Sequence, residues 1–366
     1  MDYAQGNQEN LGNGSFFLIP WRQGAEEHSI VGRMKAIAPL RFYRTPDERE
    51  GILQEEKADF FYCIKNGFND GVFSKKVTTG IHAIFRESEF HGDVYAYVSP
   101  WLSEVMSYGK APWVPHMVSL SNDNGDLRRE DGGQMAEVRG PEDSGRGSGI
   151  GSQWADVVVP KDAIVFGRHG GDDSFDIPWV QEAVVETAKQ RPDVWFLFLN
   201  TREFPGAAGL PNIRFLPPTS DPGQKRKFLN SCDAMLHGRM RGETFGLSCL
   251  EFAMLGKPVL TYAGSPERAH LEILGDSAVP YQNAKELREL LCHPSSVFRS
   301  RMEGERRPGG RDQMPDARCQ MPEDGGQKTD ADLWHQSSGV KTASDFKFKD
   351  YQPETVMQKF QEVFLR

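Results

Sequence analysis

The stretch HGRMRGETFGLSCLEFAMLGKPV (237–259) holds the end of a strand, a glycine turn, a helix and the start of another strand. DAMLH (233–237) delivers the chain into it as a short apolar run. GLSCLEFAMLG (246–256) reads as a helix, with Leu247, Leu250, Phe252, Ala253 and Met254 free to be buried and Gly256 as its stop. PVLTY (258–262) is the next strand. The same alternation extends outward. AIVFG (163–167) is an apolar run closing on glycine. IPWVQEAVVETAKQ (177–190) follows, with Val180, Val184, Val185 and Ala188 at helical spacing and Pro178 in the first turn. DVWFLFLN (193–200) is continuously apolar, as a strand buried on both faces must be. NIRFL (212–216) reads as a strand, and PGQKRKFLNSC (222–232) and NAKELRELL (283–291) as helices. Strands alternating with helices over 154–296 predict a parallel, doubly wound α/β sheet. Such sheets bind ligands at the carboxyl ends of their strands.

The remainder divides by composition. Residues 1–14 are polar and read as a disordered tail. Residues 15–120 read as a smaller α/β domain, with strands at DFFYCI (59–64), TTGIHAIF (78–85) and DVYAYVS (93–99) and a helix at WLSEVMSYG (101–109). Residues 121–153 are rich in Gly, Ser, Asp and Glu and read as a disordered linker. Residues 297–342 read as a second disordered insertion, since 299–332 contain no Ile, Leu, Val, Phe, Trp or Tyr. Residues 343–366 contain a terminal helix with Val356, Phe360, Val363 and Phe364 on one face. These inserts explain why only 38% of the 366 residues are hydrophobic. The formal net charge of -9 argues against a nucleic-acid partner, which needs a basic surface. No apolar run is long enough to span a membrane, although peripheral contact stays open, and the polar N-terminus has no secretory pattern. Five widely spaced cysteines without C-x-x-C predict reduced thiols, no zinc site and a cytoplasmic setting.

Chemistry concentrates in the glycine turn. Backbone N–H groups of Phe245, Gly246 and Leu247 at a helix start make an anion site suited to phosphate. Glu251, one helical stretch further on, is a carboxylate able to accept from vicinal hydroxyls, as on a ribose. Glu243, nearer the mouth, suits the hydroxyls of a second sugar. The plain alternatives are a helix-start carboxylate and a solvated helix residue. Arg168 could equally be a surface ion-pair partner, His82 a hydrogen-bonded core histidine, and Lys225–Arg226–Lys227 a solvated helix face. His169 and His237 border the same cleft.

ETFGLSCLE, with Glu243 and Glu251 separated by seven residues, resembles the signature of retaining family-4 glycosyltransferases (glycosyl transferases group 1). AMLGKPVL is similar to their continuation, GSPE (264–267) to a following loop, and AIVFGRHGG (163–171) to their first strand and phosphate loop. DVYAYVSPWLSEVM (93–106) resembles a Val-Ser followed by a helix in their N-terminal domain. The resemblance implies a GT-B-like α/β fold of two facing Rossmann-like domains, the N-terminal one reduced. It implies sugar transfer from a nucleotide-diphosphate donor with retention at the anomeric carbon, and no metal or other cofactor. Glu243, Arg168 and His82 would act in catalysis, Arg168 by neutralising the diphosphate leaving group. Glu251, Thr244, Phe245, Gly246, Leu247, Gly167, Arg241 and His237 would bind the nucleotide sugar. The family's lysine after Gly-Arg is missing, since no Lys occurs between Arg168 and Lys189; Arg239, Arg241 or Lys225–Lys227 could supply the charge. The acceptor, a glycan, lipid or protein, is not legible. A catalytically silent nucleotide- or glycan-binding protein on the same fold is the alternative. A dinucleotide-dependent dehydrogenase is disfavoured, because GRHGGDD does not fit G-x-G-x-x-G.

Overall fold

Short apolar runs form the strands, and proline or a polar cap opens most helices. A computed structural model describes residues 1–25, 29–120, 125, 127–129, 154, 157, 159–294 and 348–366. The N-terminal half contains α1 (Asp2–Glu9), β1 (Phe17–Pro20), α2 (Ser29–Ile37), β2 (Leu40–Tyr43), α3 (Pro46–Glu55), β3 (Phe60–Lys65), β4 (Thr78–Ala83), β5 (Val94–Tyr97) and α4 (Pro100–Ser107). Strands β1 and β2 pair in parallel, and β3-β4-β5 form a second parallel sheet. Helix α3 is capped by the Thr45 hydroxyl and α4 by that of Ser99, each with proline in the first turn.

The C-terminal half runs through β6 (Arg128–Arg129), β7 (Val159–Pro160), β8 (Ile164–His169), α5 (Pro178–Gln190), β9 (Val194–Leu199), β10 (Ile213–Leu216), α6 (Pro222–Ser231), β11 (Ala234–His237), β12 (Gly242–Glu243), α7 (Leu247–Met254), β13 (Val259–Tyr262), β14 (Glu267–Arg268), α8 (Ala269–Leu274), β15 (Ala278–Tyr281) and α9 (Ala284–Cys292). Helix α10 (Pro353–Phe364) follows. The main sheet is parallel throughout, in the order β10-β9-β8-β11-β13-β15. Counted from β8, that is 3-2-1-4-5-6, the order of doubly wound nucleotide-binding sheets. The order reverses between β8 and β11, so a crevice opens beyond their carboxyl ends. Gly167 permits this neighbourhood, because a Cβ there would overlap Cys232 Sγ.

Every residue of β9 is buried. Phe166, Phe196, Leu236 and Leu260 face α5 and α9 on one side of the sheet. Val165, Leu197, Met235 and Val259 face the other side, with Phe228 of α6 and Phe252 of α7. This second core continues into the N-terminal half through Tyr97, Val98 and Leu102. The two halves therefore share buried apolar surface behind the crevice.

Several expectations need correction. Residues 2–9, read as part of a disordered tail, form α1. Tyr3 is buried against the Phe360 ring, and its hydroxyl donates to Pro115 O at 2.7 Å. One aromatic side chain anchors a segment too polar to reveal itself. Of the 121–153 linker, 125 and 127–129 are described and docked: β6 pairs with β7, and Leu127 N–H donates to Ser231 Oγ at 2.7 Å. The remainder of that segment, and the insertion at 297–342, lie outside the described residues. Cys63, Cys232 and Cys249 are buried free thiols. Among the described residues no helix is long and apolar enough to cross a membrane.

Candidate functional site

The crevice is built from strand ends. Arg168 and His169 finish β8, His237 finishes β11, and the turn after it leads through Glu243 to α7. Gly246 opens α7 in the left-handed region, at φ 89° and ψ 55°. Only glycine takes that conformation cheaply, and a Cβ there would press on His270 Cβ at 2.7 Å. The turn thus starts α7 beside the strand ends of the crevice, and a helix start favours an anion through its free N–H groups and dipole. Leu247 is partly exposed at this edge. Phe245 is buried, edge-on to the rings of His116 and Tyr351.

Glu251 is 2% exposed. Its Oε1 accepts from Lys225 Nζ at 2.5 Å, and Oε2 lies 2.9 Å from His169 Nε2, close but poorly aligned for a hydrogen bond. Burial raises this carboxyl's pKa, but His169 and Lys225 outweigh burial and hold it at about 2. Glu243 is held similarly. His237 Nε2 lies 3.2 Å from Oε1, and Arg239 Nη1 donates to Oε2 at 2.8 Å. Against burial, these two partners lower Glu243 to about 2. Both glutamates are therefore ionised acceptors at neutral pH, Glu243 just before α7 and Glu251 in its second turn.

Two solved structures share this architecture. A glycosyltransferase from Rickettsia africae aligns with a TM-score of 0.53 at 11% identity, over 81% of this chain and 83% of that one. The Anabaena protein HepE, in complex with UDP-glucose, aligns with a TM-score of 0.51 at 11% identity, over 95% and 98%. The fold is GT-B-like. No family model and no curated protein matches the sequence.

Within this GT-B-like frame the expected site residues separate. Glu243, His237, Gly246 and the α7 N-terminus come together; Glu251 sits with His169 and Lys225. Gly167 lies on β8, beneath the same crevice. Arg168 is buried and near enough to Glu243 to sense its charge. Its guanidinium donates to Thr201 Oγ1, to Asn200 O at 3.4 Å, to Gly171 O at 2.9 Å and to Ser174 Oγ at 2.5 Å. It holds the loop after β8 rather than standing free. Burial lowers its pKa to about 10. Arg241 is more than half exposed and donates to Glu267 Oε1 at 2.7 Å.

Thr244 has a different setting from its neighbours. Its hydroxyl donates to Ile84 O at 2.7 Å, and its carbonyl accepts from Ser99 Oγ at 2.6 Å. The turn is thereby tied to the N-terminal half. His82 is not brought to the crevice. Tyr62 O–H meets its Nδ1 at 2.6 Å, and its Nε2 meets Val114 O at 2.8 Å, in the core under α10. Burial lowers its pKa to about 3, which keeps the ring neutral.

The sequence reading did not single out Thr261 or His270, and it named Lys225 and Ser99 only as parts of longer segments. Lys225 was visible only as part of a basic run, and its signal was the shortage of positive charge after Arg168. Thr261 and His270 carry no motif; only the meeting of β11, β13 and α8 shows what they touch.

Proposed function

We propose that this chain is a glycosyltransferase that moves a sugar from a nucleoside diphosphate to a glycan, lipid or protein acceptor, with retention at the anomeric carbon. One observation supports this above the others: two ionised glutamates, the half-buried Glu243 just before α7 and the buried Glu251 within it, accompany a glycine-opened helix at the sheet's switch point. Glu251 accepts from the ribose hydroxyls, which take over a place now held by Lys225 or His169. The N–H groups of Phe245, Gly246 and Leu247 receive the diphosphate. Glu243 accepts from donor-sugar hydroxyls. As the glycosidic bond breaks, charge develops on the departing diphosphate. Preorganised donors at α7 and the ammonium of Lys225 meet it there. Lys225 in this way replaces the lysine missing after Arg168. The nucleotide sugar is the substrate, and the reading includes no resident cofactor.

HepE carries UDP-glucose, so UDP-sugars are the first donors to test. Thermal unfolding against UDP-, GDP- and ADP-sugars should reveal one nucleotide that stabilises the chain. At 100 times its dissociation constant a ligand adds roughly 2.7 kcal/mol. Glu251→Ala should remove that stabilisation; a variant that is stabilised as strongly as the wild type would refute the ribose assignment. A binding protein without turnover is the second reading, and specific features favour it: the Arg168 guanidinium is occupied by the loop and His82 is enclosed in the core. Nucleotide binding without sugar release or transfer from any of these donors would select it.

A further inference from the structure

Behind Glu243 lies a line of polar side chains that the proposed reaction does not use. His237 Nε2 faces Glu243 Oε1 at 3.2 Å. On the other side of the ring, His237 Nδ1 meets Thr261 Oγ1 at 2.9 Å. The same hydroxyl meets His270 Nε2 at 3.0 Å. Thr261 and His270 are fully buried, and the two imidazoles lie 4.8 Å apart. The His270 ring also faces the Glu243 main chain, which favours its protonated form, although Nδ1 lacks full hydrogen-bond geometry. Three elements contribute: β11 brings His237, β13 brings Thr261 and α8 brings His270. Tyr281 O–H fixes the end of β11 by donating to His237 O at 2.8 Å. His270 also packs beneath Gly246, so the line supports the turn at both Glu243 and the start of α7.

With a neutral His237, the donors and acceptors run in one direction. An ionised glutamate has no proton to give, so His237 Nε2 carries the hydrogen. The Thr261 hydroxyl has one proton to share between two imidazoles. The Thr261 proton then goes to the bare His237 Nδ1, so the hydrogen between Thr261 and His270 must sit on His270 Nε2. Thr261 then accepts from His270 and donates to His237 Nδ1. Burial supports this by lowering the His270 pKa to about 3, which keeps that ring neutral.

We infer that Thr261 and His270 are positioning residues: through His237 they fix the orientation of the Glu243 carboxylate that receives the donor sugar. The inference rests on the glycosyltransferase reading for its consequence, but its geometry can be tested without any substrate. Histidine-labelled protein, with resonances assigned through His237→Gln and His270→Gln, reports by ¹⁵N NMR which ring nitrogen carries hydrogen. Both histidines should be Nε2–H tautomers in the wild type. Thr261→Val keeps the side-chain shape and deletes the hydroxyl; in it the His270 ring should lose its single tautomer, and Thr261→Ser should restore it. An Nδ1–H His237, or tautomers unchanged in Thr261→Val, would overturn the inference.

The second measurement is release of sugar from UDP-glucose, GDP-mannose and ADP-glucose. With whichever donor the wild type uses, Thr261→Val should lower kcat about tenfold, the size of one lost buried hydrogen bond, while KM shifts less than about twofold. Thr261→Ser should recover most of that loss. A Thr261→Val enzyme with wild-type kcat would refute the positioning role. A wild type inactive on all three donors counts against the glycosyltransferase reading, and the tautomers then decide the hydrogen-bonded line alone.

Discussion

Glu243 and Glu251 show how far single residues can be read. Their spacing and the intervening Phe-Gly-Leu marked them as acceptors beside a helix start. Their ionisation depends on partners that sequence spacing does not reveal, because His169 and Lys225 reach Glu251 from β8 and α6. Gly246 was legible as a close-approach glycine, and the structure adds the reason: a left-handed φ with His270 directly below. Gly246→Ala should therefore destabilise the chain by more than about 1 kcal/mol. Urea unfolding measures it, and an unchanged midpoint and slope would mean that the turn is not strained. His82, to which the family resemblance gave a catalytic role, is enclosed by the fold between Tyr62 and Val114.

Elements with strong periodicity were legible, and those held by single anchors were not. Strand β9 announced itself because all six residues are apolar and buried. Helix α1 did not, since burial of Tyr3 and Gly6 does little to alter a polar segment's composition. It is held by α10, whose Phe360 packs against the rings of both Tyr3 and Tyr62. Phe360→Ala should cost about 3–5 kcal/mol in denaturant unfolding. A loss under about 1 kcal/mol would show that α10 contributes little to this core. Helix α4 supplies a second case, because Ser99 both caps it and bonds the Thr244 carbonyl. Ser99→Ala removes two hydrogen bonds and should cost roughly 1–2 kcal/mol in stability. It should also speed hydrogen exchange in the Glu243–Gly246 turn; unaltered exchange there would argue that the turn does not depend on the N-terminal half.

At the scale of the whole molecule, burial of ionisable groups sets the response to acid. Burial lowers the pKa of His82 and His270 to about 3 and that of His116 to about 4. An unfolded histidine takes up its proton near pH ~6.5. Between those values the unfolded chain binds more protons than the folded one, so stability falls as pH drops below about 6.5. Glu243 and Glu251, lowered to about 2, act in a separate window, stabilising above the unfolded value of about 4.3 and losing that effect as pH falls toward 2. Unfolding free energies measured from about pH 7 to 4 should decline steadily, and the slope should be shallower in His82→Gln. A flat profile down to about pH 4.5 would contradict the buried neutral histidines.

The sequence by itself determined the doubly wound sheet, the glycine-opened helix after β11 and the two acidic positions around it. Alternating apolar runs and local turn chemistry are written in neighbouring residues, so they survive without a third dimension. Only the tertiary structure decided that Lys225 faces Glu251, that Thr244 ties the turn to Ser99 and Ile84, and that His82 lies in the core. Those outcomes depend on which segments, from 26 to 160 residues apart, the packed sheets bring within 3 Å. Periodicity along the chain carries no record of such distances.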